Sequence, residues 1–437
     1  PDDILSVDLA NIDLQYIFDT LNINYVSFGG EATGLITASN VMTASPQAST
    51  DNLFVRNLSY NGAVLGDGKI RSRWDNDRKC VSIDALIKEK GRQVVDMKGG
   101  IWVTRDSLSF DFDADKVNVG FLQPFMSAFA DEFSGRASGK ALLYGTFKDI
   151  DLKGDLFADS INIKLGFTNV AYHGSDSVRI TPGRIEIPRF RIYDRNGNSA
   201  NLAGVLTHRY FHEPSFDFKI TEVNKLLCYD TNEKINSDWW GTIYGSGTAA
   251  VVGRPGFVNV SANMTTNKNS TFTFVLNDRE DADEYRFLTF TDKSREEQLK
   301  LIEQSEPDYM KLIRKNNLQQ QGPPTVFSMD LRVDVTPSAA LTLVMDPVGG
   351  DRIRARGSGN LNMGYSSDSD ELSMFGRYTL DQGTYNFTLQ DLILKDFTIR
   401  PGSSISFNGD PFDATLNISA AYRVNTNLTD LDKSFAT

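Results

Sequence analysis

Apolar and polar residues alternate one for one along most of the 437-residue chain. Near the C-terminus Tyr385, Phe387 and Leu389 alternate with polar neighbours. So do Phe397 and Ile399, Ile405 and Phe407, and then Leu416, Ile418, Ala420 and Tyr422. A two-residue period predicts strands with one apolar face. Between Asp151 and Leu165 the phase changes: Leu152 and Leu156 keep one parity, Ile161, Ile163 and Leu165 the other. A bulge or turn near Asp159-Ser160 is expected there. Asn196-Gly197, between RFRIY and ANLAGVL, predicts a hairpin with a type I′ turn and positive φ at both central residues. Strands recurring about every 11 residues would number roughly 30.

A glycine-punctuated phrase occurs four times: GGEATGLITAS (29–39), SGRASGKALLYG (134–145), YGSGTAAVVG (244–253) and RGSGNLNMG (356–364). Gly34, Gly139, Gly247 and Gly359 align at intervals of 105, 108 and 112 residues. Glycine weakens strand interiors, so its recurrence marks places where strands bend or backbones approach closely. A second phrase precedes three copies: LSFDFDADKVNVGFL (108–122), FDFKITEVNKLLCYD (216–230) and LRVDVTPSAALTLVMD (331–346). Each alternates first and then loosens into an apolar patch. A third phrase follows the same three copies, at 149–165, 256–274 and 371–389. Phrases keeping their order at a fixed period predict a stacked or extended repeat architecture. The fold expected is all-β, mainly antiparallel: an elongated folded-over sheet, or β-taco groove. Its first repeat spans 1–133, the second 134–243, the third 244–354, and a C-terminal groove domain 355–437.

Two segments leave the strand period. NVGFLQPFMSAFADEF (118–133) places Phe121, Leu122, Phe125, Met126 and Phe129 at helical spacing and predicts a short helix capping a sheet. In 294–321, Ser294 and Glu297 form a capping box, and Ser305 starts a second helix with Pro307 in its first turn. A docked helical insertion over 294–318 is expected.

Net charge is −12 with pI near 4.9, which argues against nucleic acid and against an anionic membrane surface as the main partner. Cys80 and Cys228, the two cysteines, make neither a disulfide framework nor a Cys-rich metal site. No apolar run of 18 residues occurs, so this chain is not expected to span a membrane by a helix. It opens at Pro1 without Met, and an anchor is expected outside it. No catalytic constellation emerges, so an enzyme is not expected, nor a cofactor or metal. His208 and His212 in HRYFH would share a strand face, but no matching carboxylate or Cys accompanies them. Asp111, Asp113 and Asp115 resemble the start of a calcium loop, yet Lys116 and Leu122 stand where Gly and Glu are needed. They read as the polar face of a strand.

The C-terminal stretch 376–424 has a G-x-Y-x-h start at Gly376 and F-x-I-x-x-G at 397–402. I-x-F-x-G-D-P follows at 405–411, and A-x-L-x-I-x-A-x-Y at 414–422. It resembles the C-terminal domain of the TamB translocation and assembly module family of Gram-negative bacteria. The glycine phrases and LKGDLFADSINI extend the similarity to AsmA-like proteins over most of the chain; the helical insertion departs from it. The resemblance implies a periplasmic segment of a protein anchored in the inner membrane, working with an Omp85-type outer-membrane barrel. It implies a groove with an apolar inside, carrying phospholipid between the two membranes. Assistance to outer-membrane or secreted β-proteins is the alternative, and a non-catalytic structural β-solenoid the third. The expected groove-lining residues are Tyr385, Phe387, Leu389, Leu392, Leu394, Phe397, Ile399, Ile405, Phe407, Leu416 and Ile418.

Overall fold

The computed structural model describes residues 4–16, 28–39, 47–75, 77–126, 130–146, 148–276, 325–347, 349–369, 371–389 and 393–423. These residues are all-β and mainly antiparallel, with 24 strands. The helical insertion expected at 294–318 lies outside them. Contacts divide the chain into two units. The first comprises Pro1–Val223, Ala249–Asn259 and Ser294–Phe327; the second comprises Asn224–Thr248, Val260–Lys293 and Ser328–Thr437.

In the first unit, antiparallel strands follow one another in chain order. Their registers align the apolar phase of each strand with the next. Leu53 faces Ile70, Ile70 faces Ala85, and Ala85 faces Met97. Met97 faces Phe112, Phe112 faces Ala141, and Ala141 faces Gly154. Gly154 faces Ile180, Ile180 faces Ile185, and Ile185 faces Leu206. One apolar row therefore crosses ten strands. On the opposite face the neighbouring row is charged: Asp96, Asp113, Lys140, Asp155 and Arg179 succeed one another. Lys140 approaches Asp113 at 3.5 Å, and Arg179 reaches Asp155 at 3.1 Å. Such exposed pairs contribute at most about 1 kcal/mol each. They set which face meets water rather than how tightly the sheet holds.

The second unit pairs Asp351–Ser366 with Val326–Val335, Ala340–Asp346 and Glu371–Leu389. Its exception to antiparallel pairing is Thr271–Val275 beside Ala340–Asp346, which run parallel. The stretch RIRARGSGNLNM is one strand: Ile353, Ala355, Gly357 and Leu361 point inward, while Arg352, Arg354, Arg356 and Asn360 face solvent.

The glycines of the repeated phrase now have a physical reason. A Cβ on Gly34, Gly139, Gly247 or Gly359 would run into a backbone carbonyl of the following strand, that of Asn52, Asp155, Asn263 or Arg377. The first three also hold positive φ, between 136 and 152°. The residue just before each of these three has a second duty. Asn11, Lys116 and Lys225 bulge out of the preceding strand at φ between 52 and 57°. Their backbone N–H groups donate to Thr33 Oγ1 at 3.1 Å, Ser138 Oγ at 2.8 Å and Ser246 Oγ at 2.9 Å. A non-glycine residue in this region costs about 1–2 kcal/mol, and the hydroxyl offsets part of that. The bulge explains why the preceding phrase loosens. Phe110, Phe112 and Ala114 point inward before Lys116, and Val117 and Val119 after it. The fourth copy departs: Thr336–Ala339 form a turn instead, closed by Ala339 N–H to Thr336 O at 3.0 Å.

Ser160 carries the bulge expected near Asp159-Ser160, with φ 53° and its N–H donating to Ser175 Oγ at 2.8 Å. Other expectations are corrected. At Asn196-Gly197 only the glycine has positive φ (80°). The loop is a type I turn from Asp194, whose buried carboxylate accepts the N–H groups of Asn196 and Asn198 at 2.8 and 3.0 Å. Both-positive dihedrals occur instead at Tyr210 and Phe211 (51 and 62°). Those two residues separate Ser199–Arg209 from His212–Thr231, so His208 and His212 lie on different strands rather than sharing one face. Among the described residues of 118–133, the expected helix is confined to the 3-10 turn Gly120–Leu122 and the single α-turn Gln123–Met126. Ala130–Gly145 is strand, because Ala130 and Phe133 pair with Leu165 and Ile163 and the sheet uses their apolar side chains.

The close approach at Gly139 should dominate its mutational cost. Gly62 also has positive φ, but a Cβ there meets nothing. Gly139→Ala should destabilise the protein by at least 2 kcal/mol more than Gly62→Ala in urea denaturation, since backbone must shift as well. Ser138→Ala should cost about 1 kcal/mol. Equal losses at the two glycines would refute the close-approach account.

Candidate functional site

The inward phase of the first unit is apolar but not sealed. Leu53, Ile70, Met97, Phe112, Ile185 and Leu206 are half-buried, while Ala85 and Ile180 are buried. Glycines lie among them with aromatic rings close by. A Cβ on Gly99, Gly174 or Gly204 would strike the ring of Phe110, Phe190 or Phe218. Rings filling the space above glycine keep the face apolar where the strands carry no side chain.

In the second unit the inward phase closes into a core. Phe274, Leu343, Ile353, Met374, Tyr378, Leu380, Ile399, Ile405 and Phe407 are each 6% exposed or less. The long strand Glu371–Leu389 contributes Met374, Tyr378 and Leu380 in one phase and Tyr385 in the other. The register shift opposite Arg356 and Gly357 leaves Asp381 unpaired and restores the inward direction.

The expected groove-lining residues distribute over this unit. Ile399, Ile405 and Phe407 are buried in the core, and Tyr385, Leu416 and Ile418 pack against it half-buried. Phe387 and Phe397 are half-buried beside Tyr385, with ring centroids 6.0 and 5.9 Å away. Tyr422 continues that aromatic run at 5.4 Å from Phe397. Leu389 pairs with Ile393 and Leu394 with Thr388, and Leu392 lies outside the described residues. The unit-one row was not among the expected residues, although alternation in 108–114 signalled its Phe110 and Phe112. Tyr378 was also missed as a lining residue, although it is the Tyr of the G-x-Y start.

Two tyrosines bring polarity inward. The Tyr385 hydroxyl donates to Asp351 Oδ2 at 3.2 Å; burial first, and then Asp351, push its phenol up. Tyr378 is 2% exposed, and burial pushes its phenol up to about 12, so it stays neutral and protonated near pH 7.

The histidines form no common site. His208 accepts the Phe211 N–H on Nδ1 at 3.0 Å and stacks on that ring, and burial pushes its pKa below the usual imidazole range. His212 is exposed at the start of the next strand. Asp111, Asp113 and Asp115 occupy the exposed face of their strand, as expected; Asp115 holds Arg92 at 2.7 Å. Among the described residues no group of three or more His, Cys, Asp or Glu could hold a metal ion. Among them too, no helix is long and apolar enough to cross a membrane.

The described residues are thus all-β, and the first unit's strands carry an apolar row on one face and a charged row on the other. The chain belongs to the TamB family: the family model described as the TamB C-terminal domain matches residues 189–437, more than half of it. The match begins far upstream of the motifs at 376–424. The protein is therefore an envelope-associated, TamB-like protein, of a family of non-catalytic transport and assembly modules. No curated protein and no solved structure matches significantly.

The two degrees of burial give a direct expectation. Ile405→Asp places an unpaired carboxylate at a 0%-exposed position and should cost several kcal/mol, abolishing the second unit's cooperative melt. Phe387→Asp, at a half-buried position, should keep it. Circular dichroism melts of both variants check this; loss of the transition in both would mean the aromatic run is as tightly packed as the core.

Proposed function

We propose that the apolar face carries phospholipid acyl chains through the periplasm between inner and outer membranes, delivering them beside an Omp85-type barrel. The observation that carries this reading is the apolar row from Leu53 to Leu206, in which Leu53, Ile70, Met97, Phe112, Ile185 and Leu206 are only half-buried. A protein interior is packed to crystal-like density. Side chains such as Met97, Phe112 and Leu206 instead keep apolar surface available, at matching height on strand after strand. That surface suits extended alkyl chains, which need continuity and no directional contacts. The charged outer rows suit a water-filled surrounding. The half-buried aromatics Phe387, Tyr385 and Phe397, continued by the exposed Tyr422, offer the second unit's counterpart.

A second reading, assistance to β-proteins, is favoured by one specific feature. Among the described residues, Ile4–Asp13 pairs only with Phe28–Ser39, and its Ile4, Leu5 and Val7 are 65, 56 and 42% exposed. Such an edge could accept a client strand by β-augmentation.

A photocrosslinking residue at Phe112 or Leu206, in protein expressed in envelopes of its own host, should capture phospholipid. The same residue at Asp113, on the opposite face of the Phe112 strand, should not. Equal yields on the two faces, or capture of protein alone, would sink the lipid reading.

A further inference from the structure

Tyr378 sits at the centre of the second unit's core. Its strand register sets it across from Gly359 on one side and Ile405 on the other, and Ile405 in turn faces Leu416. Its hydroxyl is buried and meets no hydrogen-bond partner among the described residues. The Gly357 backbone amide lies beside it, and the charges of Asp381 and Arg356 also act on the phenol. Its neighbour Tyr385 shows the contrast, its hydroxyl anchored on Asp351. A phenylalanine at 378 would fill the same volume without the cost of an unsatisfied buried donor. A buried hydroxyl packed among apolar side chains such as Met374, Leu380 and Ile405, and still lacking an acceptor, calls for an acceptor oxygen on a molecule that is itself mostly apolar. A client strand fits poorly, because its carbonyls are consumed in strand pairing. The ester region of a diacyl lipid fits, with two carbonyl oxygens joined to alkyl chains.

We propose that Tyr378 is a binding residue of the lipid path, its hydroxyl donating a hydrogen bond to an acyl-ester carbonyl of phospholipid drawn against the inner face of the second unit. The inference rests on the conduit reading above and adds to it a specific polar contact. It predicts discrimination by linkage chemistry, which apolar lining alone cannot provide. Because the phenol keeps its proton across the neutral range, it remains a donor whatever the headgroup.

The test uses the whole chain and its Tyr378→Phe variant. Each is incubated with vesicles of 1-palmitoyl-2-oleoyl-phosphatidylglycerol or of the matching dialkyl-ether lipid, re-isolated, and analysed by native mass spectrometry. A third arm uses oleic acid, whose carboxylate is the other acyl source of an acceptor oxygen. The wild-type chain should retain diacyl over ether lipid by about tenfold, the worth of one net hydrogen bond. Tyr378→Phe should lose that preference, keep its ether-lipid binding, and melt at or above the wild-type temperature. Diacyl retention equal in the two proteins overturns the inference while leaving the conduit reading standing. A preference for oleic acid alone overturns the ester assignment. A clear fall in melting temperature means the hydroxyl serves the fold, and the inference fails. If neither protein retains any lipid, the inference and the conduit reading fail together.

Discussion

Register is the constraint from which the remaining features follow. Side chains alternate with a period of two, so a slip of one residue would move an entire apolar phase to the charged face. Over ten consecutive strands the first unit keeps Leu53 through Leu206 in line, and each pairing is a separate opportunity for error. Backbone hydrogen bonds do not by themselves prefer one register, because every residue carries the same donor and acceptor. The choice comes from glycines that alone tolerate a carbonyl at close range, and from bulges whose N–H groups find one hydroxyl. Lys116 on Ser138, with Gly139 beside it against Asp155, pins three strands at once.

The bulges do more than fix position. Each one reverses the inward parity of its strand, and the sequence reverses with it. Val117 and Val119 take over from Phe112 and Ala114, and Ile161 and Ile163 from Leu156. Past Asp381, Tyr385 takes over from Leu380. Long strands accumulate twist, and a bulge increases it locally. Each bulge at Lys116, Ser160 and Lys225 therefore adds twist to its own strand while keeping that strand's apolar side chains inward. The charged rows follow on the other side, where pairs such as Arg179–Asp155 cost little and gain little.

How much of this could be read from the sequence depends on whether the deciding chemistry leaves a local mark. Alternation marks strands directly, and the four glycine phrases mark the close approaches, so the all-β repeat and the bulge at Ser160 were legible. Lys116, Lys225, Tyr210 and Phe211 were not. Nothing in a lysine or an aromatic announces positive φ. At Lys116 and Lys225 it accompanies an N–H bond to the partner strand more than 20 residues away, at Ser138 and Ser246. At Tyr210 and Phe211 it belongs to the two-residue turn between strands. The segment 118–133 failed for a related reason. Its apolar spacing fits a helix, but Ala130 and Phe133 gain more by completing the ladder with Leu165 and Ile163. In the candidate site, the residues at 385–418 were visible through their motifs. Which of them are sealed and which half-open depends on cross-strand neighbours such as Phe274 and Leu343, which no local pattern reveals.

The two units pack their inward phases to different degrees. In the first unit the inward phase mixes buried side chains such as Ala85, Phe110 and Ile180 with half-buried ones such as Met97, Phe112 and Leu206, which keep apolar surface exposed. In the second unit the same phase is spent on stability: Leu380 and Ile405 are fully buried, so a guest can enter only by displacing protein contacts with contacts of equal value. Alkyl chains meet that condition, because their dispersion contacts resemble those of Leu and Ile. Polar guests do not, except where the protein supplies a partner. Tyr378 places a buried hydroxyl in that sealed core, so a polar contact and not dispersion alone is on offer there.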